Sequence, residues 1–448
     1  MKRIISFLLC LAAVLSLMGC GSQEETPTTA PETTAATEAT TPLPNIEKKD
    51  YSAFKNIVYD TKTWYEGLMA LPIANDSMTE DELRQLCADA MRYNLTFTWT
   101  PTMDINYSFT LLERTSEVSI PAYIAYSGLF YCNENAKGNV WKALDYYDPE
   151  TGAMDIAAMK GHHLSILSSA CARGCEWGWS RVSNSHGLET MSSYNQYNSN
   201  VVPVGPYNYM PGKYAFGSGD GTLQIIEENG EDVMLQSYAA MKVADGVYSS
   251  SSYHVMMCSA APVLVYDKDG KIDPAESYIL VHEQDAVGSK TDTKDEEQPN
   301  GVTLRNLGTV DKKYTFADLL KKGYIPFTIK ELIGEDPVEA GEAYVGSQDK
   351  PLENGADILL DDLFSKTLFA NYAICTIEVQ AKTPEGELLL REKNLLQSTP
   401  HTYHSAIRNS DFAEKAAPYA NGKNTVHIYV RLSTGELIEA FRTVLKVA

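Results

Sequence analysis

The sequence predicts an α+β protein that ends in an all-β module. Two observations carry this. Helical periodicity and short β-rich runs alternate through about residue 350, and from there Gly turns separate apolar, β-branched runs alone. A third observation sets the context: the first fifty residues belong to export and tethering rather than to a folded core.

Lys2 and Arg3 precede the apolar run 4-IISFLLCLAAVLSLM-18, which has the length of a signal-peptide core and is too short to span a bilayer. The run ends in 17-LMGC-20, the pattern of a bacterial lipobox, so Cys20 is the expected lipidation site and mature N-terminus. Residues 21–50 are rich in Thr, Ala, Pro and Glu and nearly free of apolar side chains. Such a segment cannot bury enough surface to offset its ordering entropy, so a disordered tether is expected. The expected location is extracytoplasmic, lipid-anchored to the cell membrane; in a Gram-positive cell the tether would carry the folded part into the wall.

Residues 51–349 then form the main α+β domain and 350–448 the β-module, with a boundary in the acidic 346-GSQDKPLENGAD-357. A net charge of −22 argues against nucleic acid or anionic lipid as a partner of the folded part. Oligomeric state leaves no signal. Of eight cysteines, Cys10 leaves with the signal and Cys20 carries lipid. The remaining six are Cys87, Cys132, Cys171, Cys175, Cys258 and Cys375. A chain this long, with an ordinary apolar fraction, does not need disulfide staples. No C-x-x-C occurs, the C-x3-C pair at 171 and 175 lacks a second pair at zinc spacing, and adjacent His162 and His163 suit one metal poorly, so no metal or cofactor is expected.

Along the chain, 79-TEDELRQLCADAMR-92 reads as a helix: Thr79 caps it, acids fill its first turn, and Leu83, Leu86, Cys87 and Met91 share a face. Further helices are expected near 139–148 and 231–242. The stretch 193-SYNQYNSNVVPVGPYNYMPGKYAFGSGDG-221 reads as loop, facing solvent or a ligand. Strands are expected at 253–266 and 277–284, after a turn at 244-ADG-246. Their connector 267-DKDGKIDPAE-276 resembles a calcium loop, but with Gly270 at the sixth position the first ligand position holds Val265, so a hairpin turn is the better reading. In the tail, 372–382, 386–393, 425–433 and 435–448 read as strands of a β-sandwich, for which an Ig-like fold is expected.

The chemistry concentrates in 168-SSACARGCEWGWSRVSNSHG-187. Read as a helix capped by Ser168 or Ser169, it puts Cys171 in the first turn, where free N–H groups, the helix dipole and nearby Arg173 favour a thiolate. Cys175 lies one turn deeper and packs. Gly178, between Trp177 and Trp179, lets another backbone approach. A thiol nucleophile needs a base. His401, His404 and His427 lie in the tail, and His162, His163 and His186 sit beside the helix itself, which leaves His254 and His282. His254, Met256 and Cys258 share a strand face. A tight hairpin would put Glu283 directly opposite His254, whereas a longer loop would favour His282 or Gln284 as the orienting group.

A Cys at a helix start, W-G-W six residues on, an acid-Gly turn and H-V opening a strand resemble the NlpC and CHAP-type branch of the papain-like fold. These families are bacterial cell-wall cysteine amidases and endopeptidases. The chain is similar over most of residues 120–345 to exported clostridial proteins of unassigned function, through 128-GLFY-131, 177-WGWSRVSN-184, 235-LQSYA-239 and 324-YIPFTIKEL-332. The resemblance implies a papain-like (NlpC-type) domain, a Cys171–His254 dyad, a peptide or peptidoglycan substrate, and Tyr131 as a contributor to the oxyanion site. NlpC-type enzymes usually read Asp-Cys-Ser-Gly where this chain has Ala170, Cys171, Ala172 and Arg173. The competing expectation is a surface lipoprotein that uses the same scaffold to bind wall polymer or peptide without turnover.

The tether reading has a direct check. Limited proteolysis of the mature protein should remove residues 21–50 and leave 51–448 intact, followed by mass spectrometry; a protected segment 21–50 would mean that it docks.

Overall fold

In a computed structural model, the described residues are 49–111, 114–134, 136–184, 200–210, 213–214, 219–285, 295–348, 350–394, 399, 402–407 and 411–447. Cys20, the tether up to residue 48, His186, His401 and parts of the Tyr/Asn-rich stretch (193–199, 211–212 and 215–218) lie outside them. The chain is mixed α+β, as its periodicities predict. No described helix is long and apolar enough to cross a membrane.

Three apolar cores organise it. The first lies around a six-stranded, wholly antiparallel sheet in the order Thr309–Thr315, Tyr278–Glu283, His254–Cys258, Gly246–Ser249, Ile325–Ile329, Val201–Pro203. The second surrounds a mixed five-stranded sheet that contains Thr98–Pro101 and Ala125–Ser127, with Trp99, Phe97 and Phe130 buried in it. The third lies in the tail, where two four-stranded antiparallel sheets share Val345, Leu368, Ile377 and Ile428. This last core begins with the strand Ala343–Ser347, so the β-module takes in residues assigned above to the main domain.

The helix expected at 79–92 spans Glu80–Thr96 and opens with a full capping box, in which Thr79 and Glu82 satisfy each other's backbone N–H groups. Beside it lies the thiol helix, Cys171–Trp179. Its N-cap is Ala170, without a side-chain cap. Ser168 and Ser169, the expected caps, instead pair as a short parallel strand with Phe130–Tyr131, because their backbone groups are taken by that ladder. Gly178 is where the two helices meet: a Cβ there would lie 3.0 Å from the Cys87 carbonyl oxygen and 2.8 Å from Met257 Cε. Gly174 looks onto Gln284. The thiol helix therefore packs on the sheet face that carries Met257 and Gln284.

The other expected elements shrink. The helix near 139–148 is one α-turn, Val140–Ala143, followed by a 3-10 turn, and the helix near 231–242 covers Glu231–Ala239. The strands expected at 253–266 and 277–284 are His254–Cys258 and Tyr278–Glu283. Ser259 onward leaves the ladder as a separate excursion, pinned by the bridge of Val263 to Tyr278 and closed at its tip by a hairpin turn. There the Asp267 N–H donates to the Lys271 carbonyl, and Asp267 Oδ1 accepts from the N–H groups of Asp269 and Lys271.

Close packing at Gly178 generates a stability prediction. Gly178→Val pushes two methyls toward a backbone carbonyl that cannot yield, and should lower unfolding stability by about 1–3 kcal/mol, measured by urea denaturation. An unchanged midpoint would mean that the two helices are not held at this distance.

Candidate active site

The turn at 244-ADG-246 is held from two sides, and it aims the strand pair that carries His254. The Trp179 indole N–H donates to the Ala244 carbonyl at 2.8 Å, and Arg84, on the Glu80–Thr96 helix, pairs with Asp245 Oδ1 at 2.6 Å. Both ions of this pair are buried. Ala244 carries a positive φ of 65°, and Gly246 passes under the Phe327 ring with no room for a Cβ. The W-G-W segment thus ties the C-terminal end of the thiol helix to the hairpin Gly246–Ser249/His254–Cys258.

At the other end of the helix stands Cys171, the first helical residue and only half-buried. The His254 ring and the backbone N–H groups of Val255 and Ala172 all act on its sulfur. Burial opposes thiolate formation, but these donors outweigh it and hold the Cys171 pKa below the ordinary thiol value. His254 opens its strand, and its Nε2 lies 3.3 Å from Glu283 Oε2, which leaves Nδ1 for the thiol. Burial disfavours the charged ring, yet the hydrogen bonds to Cys171 and Glu283 prevail and raise His254 to about 10. Both shifts favour the thiolate–imidazolium form of the pair over its neutral form.

Glu283 orients that ring. It has no exposed surface. Tyr314 donates its hydroxyl to Oε2 at 3.0 Å, and the Lys312 ammonium pairs with Oε1. Burial alone would push this carboxyl up; His254 first, then Lys312, hold it down at about 2. The register differs by two residues from direct opposition. Met257 faces His282 and Cys258 faces Val281, so Glu283 stands across from Met256 and reaches His254 on the diagonal. A shift of two preserves the face, which is why Glu283 still meets the histidine. The long connector does not bring in the other two candidates. His282 Nδ1 accepts the Asp311 N–H at 3.4 Å, and Gln284 donates to the Leu129 carbonyl at 2.9 Å.

Lys312 and Tyr314 carry no sequence signal for this role. They stand on the edge strand opposite Val281 and Ile279, which share the face of Glu283, and the ladder is interrupted by a bulge between Val281 and Glu283, where Asp311 has φ 53°. Tyr131 is paired with Ser169 two residues before the thiol, and its hydroxyl is pushed well above its usual range by burial first and then by the Cys171 charge. It therefore lies within electrostatic reach of the sulfur. Arg173 acts differently from expectation: its guanidinium pairs with buried Glu176 at 2.6 Å, so its charge is matched within the helix. Cys175 is wholly buried, and its pKa is raised by burial and by Cys171. All six described cysteines are free thiols, and no group of three or more His, Cys, Asp or Glu side chains suited to a metal occurs among the described residues.

The signs of these shifts give a pH prediction. His254 is raised from 6.5 to about 10, so its stabilising contribution is complete below 6.5 and is lost as pH rises toward 10. Glu283 is lowered from 4.5 to about 2, so its contribution is complete above 4.5 and is lost as pH falls toward 2. Iodoacetamide should alkylate Cys171 with a midpoint below that of a free thiol, and His254→Ala should raise this midpoint by at least about one pH unit. An alkylation profile indifferent to His254→Ala would mean that the two side chains do not share a proton. No family model, curated protein sequence or solved structure matches this chain.

Proposed function

We propose that this chain is a papain-like, NlpC-type cysteine peptidase or amidase that cleaves amide bonds of peptides or peptidoglycan at the outer face of the cell membrane. The observation that carries this reading is the chain of contacts from Cys171 through His254 to a fully buried, ionised Glu283. A nucleophile, a base and an orienting acid in hydrogen-bond sequence are what acyl transfer to a thiol requires. A thiol helix set against an antiparallel sheet that supplies histidine and acid from successive strands supports the papain-like assignment. In this reading the tail is an Ig-like sandwich that spaces or binds.

The reaction follows from the protonation states. The Cys171 thiolate adds to the amide carbonyl carbon, and the π-electrons move onto oxygen. This reading assigns the N–H at the helix start and the Tyr131 hydroxyl as donors to that oxyanion. His254, already protonated, gives its proton to the departing amine as the C–N bond breaks, leaving a thioester. The ring, now neutral, takes a proton from water as the water attacks the thioester, and keeps it as the C–S bond breaks, so that the acid leaves and the thiolate–imidazolium pair is restored. Glu283 stays ionised and holds the ring in place throughout.

Incubation of the full exported domain with peptidoglycan fragments and amide peptides should release new amine ends. Cys171→Ala should lower that rate by at least about 10³-fold. Glu283→Gln should lower it while retaining alkylation at Cys171. Hydrolysis that survives Cys171→Ala would refute the reading, and binding of the fragments without turnover by the wild-type protein would transfer it to a non-catalytic wall-binding lipoprotein.

A further inference from the structure

Beyond the C-terminal end of the thiol helix, one buried guanidinium has no carboxylate acting on it. Arg181 is 2% exposed. Its Nη2 donates to the Pro72 carbonyl at 2.9 Å, while buried Nε and Nη1 have no acceptor among the described residues. Burial lowers it to about 10, and the groups that act on its charge are Cys87, Cys375 and Arg431, none of them a carboxylate. Arg431 shares the Trp141 ring with it, the two guanidinium carbons lying 4.9 and 5.8 Å from the ring centre. One helical turn before Arg181, the Trp177 indole N–H is likewise buried without an acceptor, and Lys142 Nζ lies 5.6 Å from the centre of the Trp177 ring.

Arg181, Trp177 and Trp141 line one small cavity together with Asn94, Asn139 and Ser433, and it has room for about one water-sized guest. What this lining offers is donors. Guanidinium and indole nitrogens in these states only donate. Two acceptors beside them are engaged, since Asn94 Oδ1 takes the Val140 N–H at 2.9 Å and Asn139 Oδ1 takes the Lys142 N–H at 3.0 Å, while Ser433 Oγ spends its proton on the Ser180 carbonyl at 2.8 Å. A water there would find donors but few acceptors for its own protons. A buried, unmatched guanidinium is moreover among the costliest arrangements in a protein interior. A monoatomic anion meets both demands, since it accepts from several donors and carries the missing charge.

We propose that this cavity binds a halide, chloride under physiological conditions, held by Arg181 and Trp177 where the thiol-helix segment meets the turn 433–435 of the β-module. The site is separate from Cys171, at the far end of the same helix, and does not depend on the catalytic reading. The Ser433–Ser180 hydrogen bond and the tight seat of Gly435 on Arg181 Nη1 put it at the junction, so its occupancy stabilises the docked module.

Thermal unfolding of the full exported domain tests this, in sodium bromide or chloride against sodium gluconate at constant ionic strength, together with anomalous diffraction from crystals grown in bromide. The melting temperature should rise with halide and saturate, as expected of a ligand that binds the folded state alone. A bromide peak should lie within hydrogen-bond distance of Arg181 Nε and Trp177 Nε1. Arg181→Met should abolish the halide-dependent rise. If that variant does not fold, Trp177→Phe, which removes one donor and keeps the charge, should weaken the halide midpoint by about tenfold. Equal melting curves in halide and gluconate, or a refined water with no bromide signal in the cavity, would overturn the proposal.

Discussion

The arrangement around the thiol depends on keeping one buried carboxylate charged. Glu283 has no contact with solvent, and an isolated carboxylate in that position would take up a proton. Three donors prevent this: the His254 ring, the Tyr314 hydroxyl and the Lys312 ammonium. Once ionised, Glu283 favours the imidazolium, and the imidazolium favours the thiolate. Each charge is stabilised by the next one in line. Removing the edge strand Thr309–Thr315 would therefore be felt at Cys171, although no residue of that strand is bonded to the sulfur.

The helix that carries the thiol is placed by its opposite end. Trp179 fixes it to the turn at Ala244, Gly178 lets it sink against the Cys87 carbonyl, and Ser180 and Val182 accept hydrogen bonds from Ser433 and Tyr372 of the β-module. None of these contacts takes part in chemistry. They convert a nine-residue helix, too short to hold itself together, into a rigid mount for its first residue.

Much of this was legible from local pattern. The capping box at Thr79, the thiol at a helix start, the close approach at Gly178 and the tail strands from 374 to 444 all follow from short-range rules of capping, periodicity and residue size. The sequence ties Glu283 to His254 only through a tight hairpin, and a longer loop points to His282 or Gln284; the connector is long, yet Glu283 keeps the His254 face because the register shift is even. What could not be read is what depends on pairing between distant segments. The two-residue register shift arises where Ser259–Ser277 leaves the ladder, and no local rule measures that excursion. Lys312 and Tyr314 reach the site because their strand pairs with Tyr278–Glu283, and sequence spacing does not set that pairing. Ser168 and Ser169 have good capping chemistry, but the ladder to Phe130–Tyr131 claimed their backbones first.

The junction with the tail poses a different problem from the site. A boundary drawn at a change of composition assumes that the two parts meet through weak, polar contacts. Here a buried arginine, two tryptophans and a second arginine meet at the seam, and Lys393 of the tail pairs with Asp145 of the main body. Charges withdrawn from water at an interface keep its geometry narrow, because each must keep its partner or incur its full desolvation cost. The tail therefore braces the C-terminal end of the thiol helix, while the half-buried Cys171, the proposed nucleophile, stands at the other end. Support and the proposed chemistry are separated by the length of one short helix, which lets the buried end be rigid without burying the sulfur.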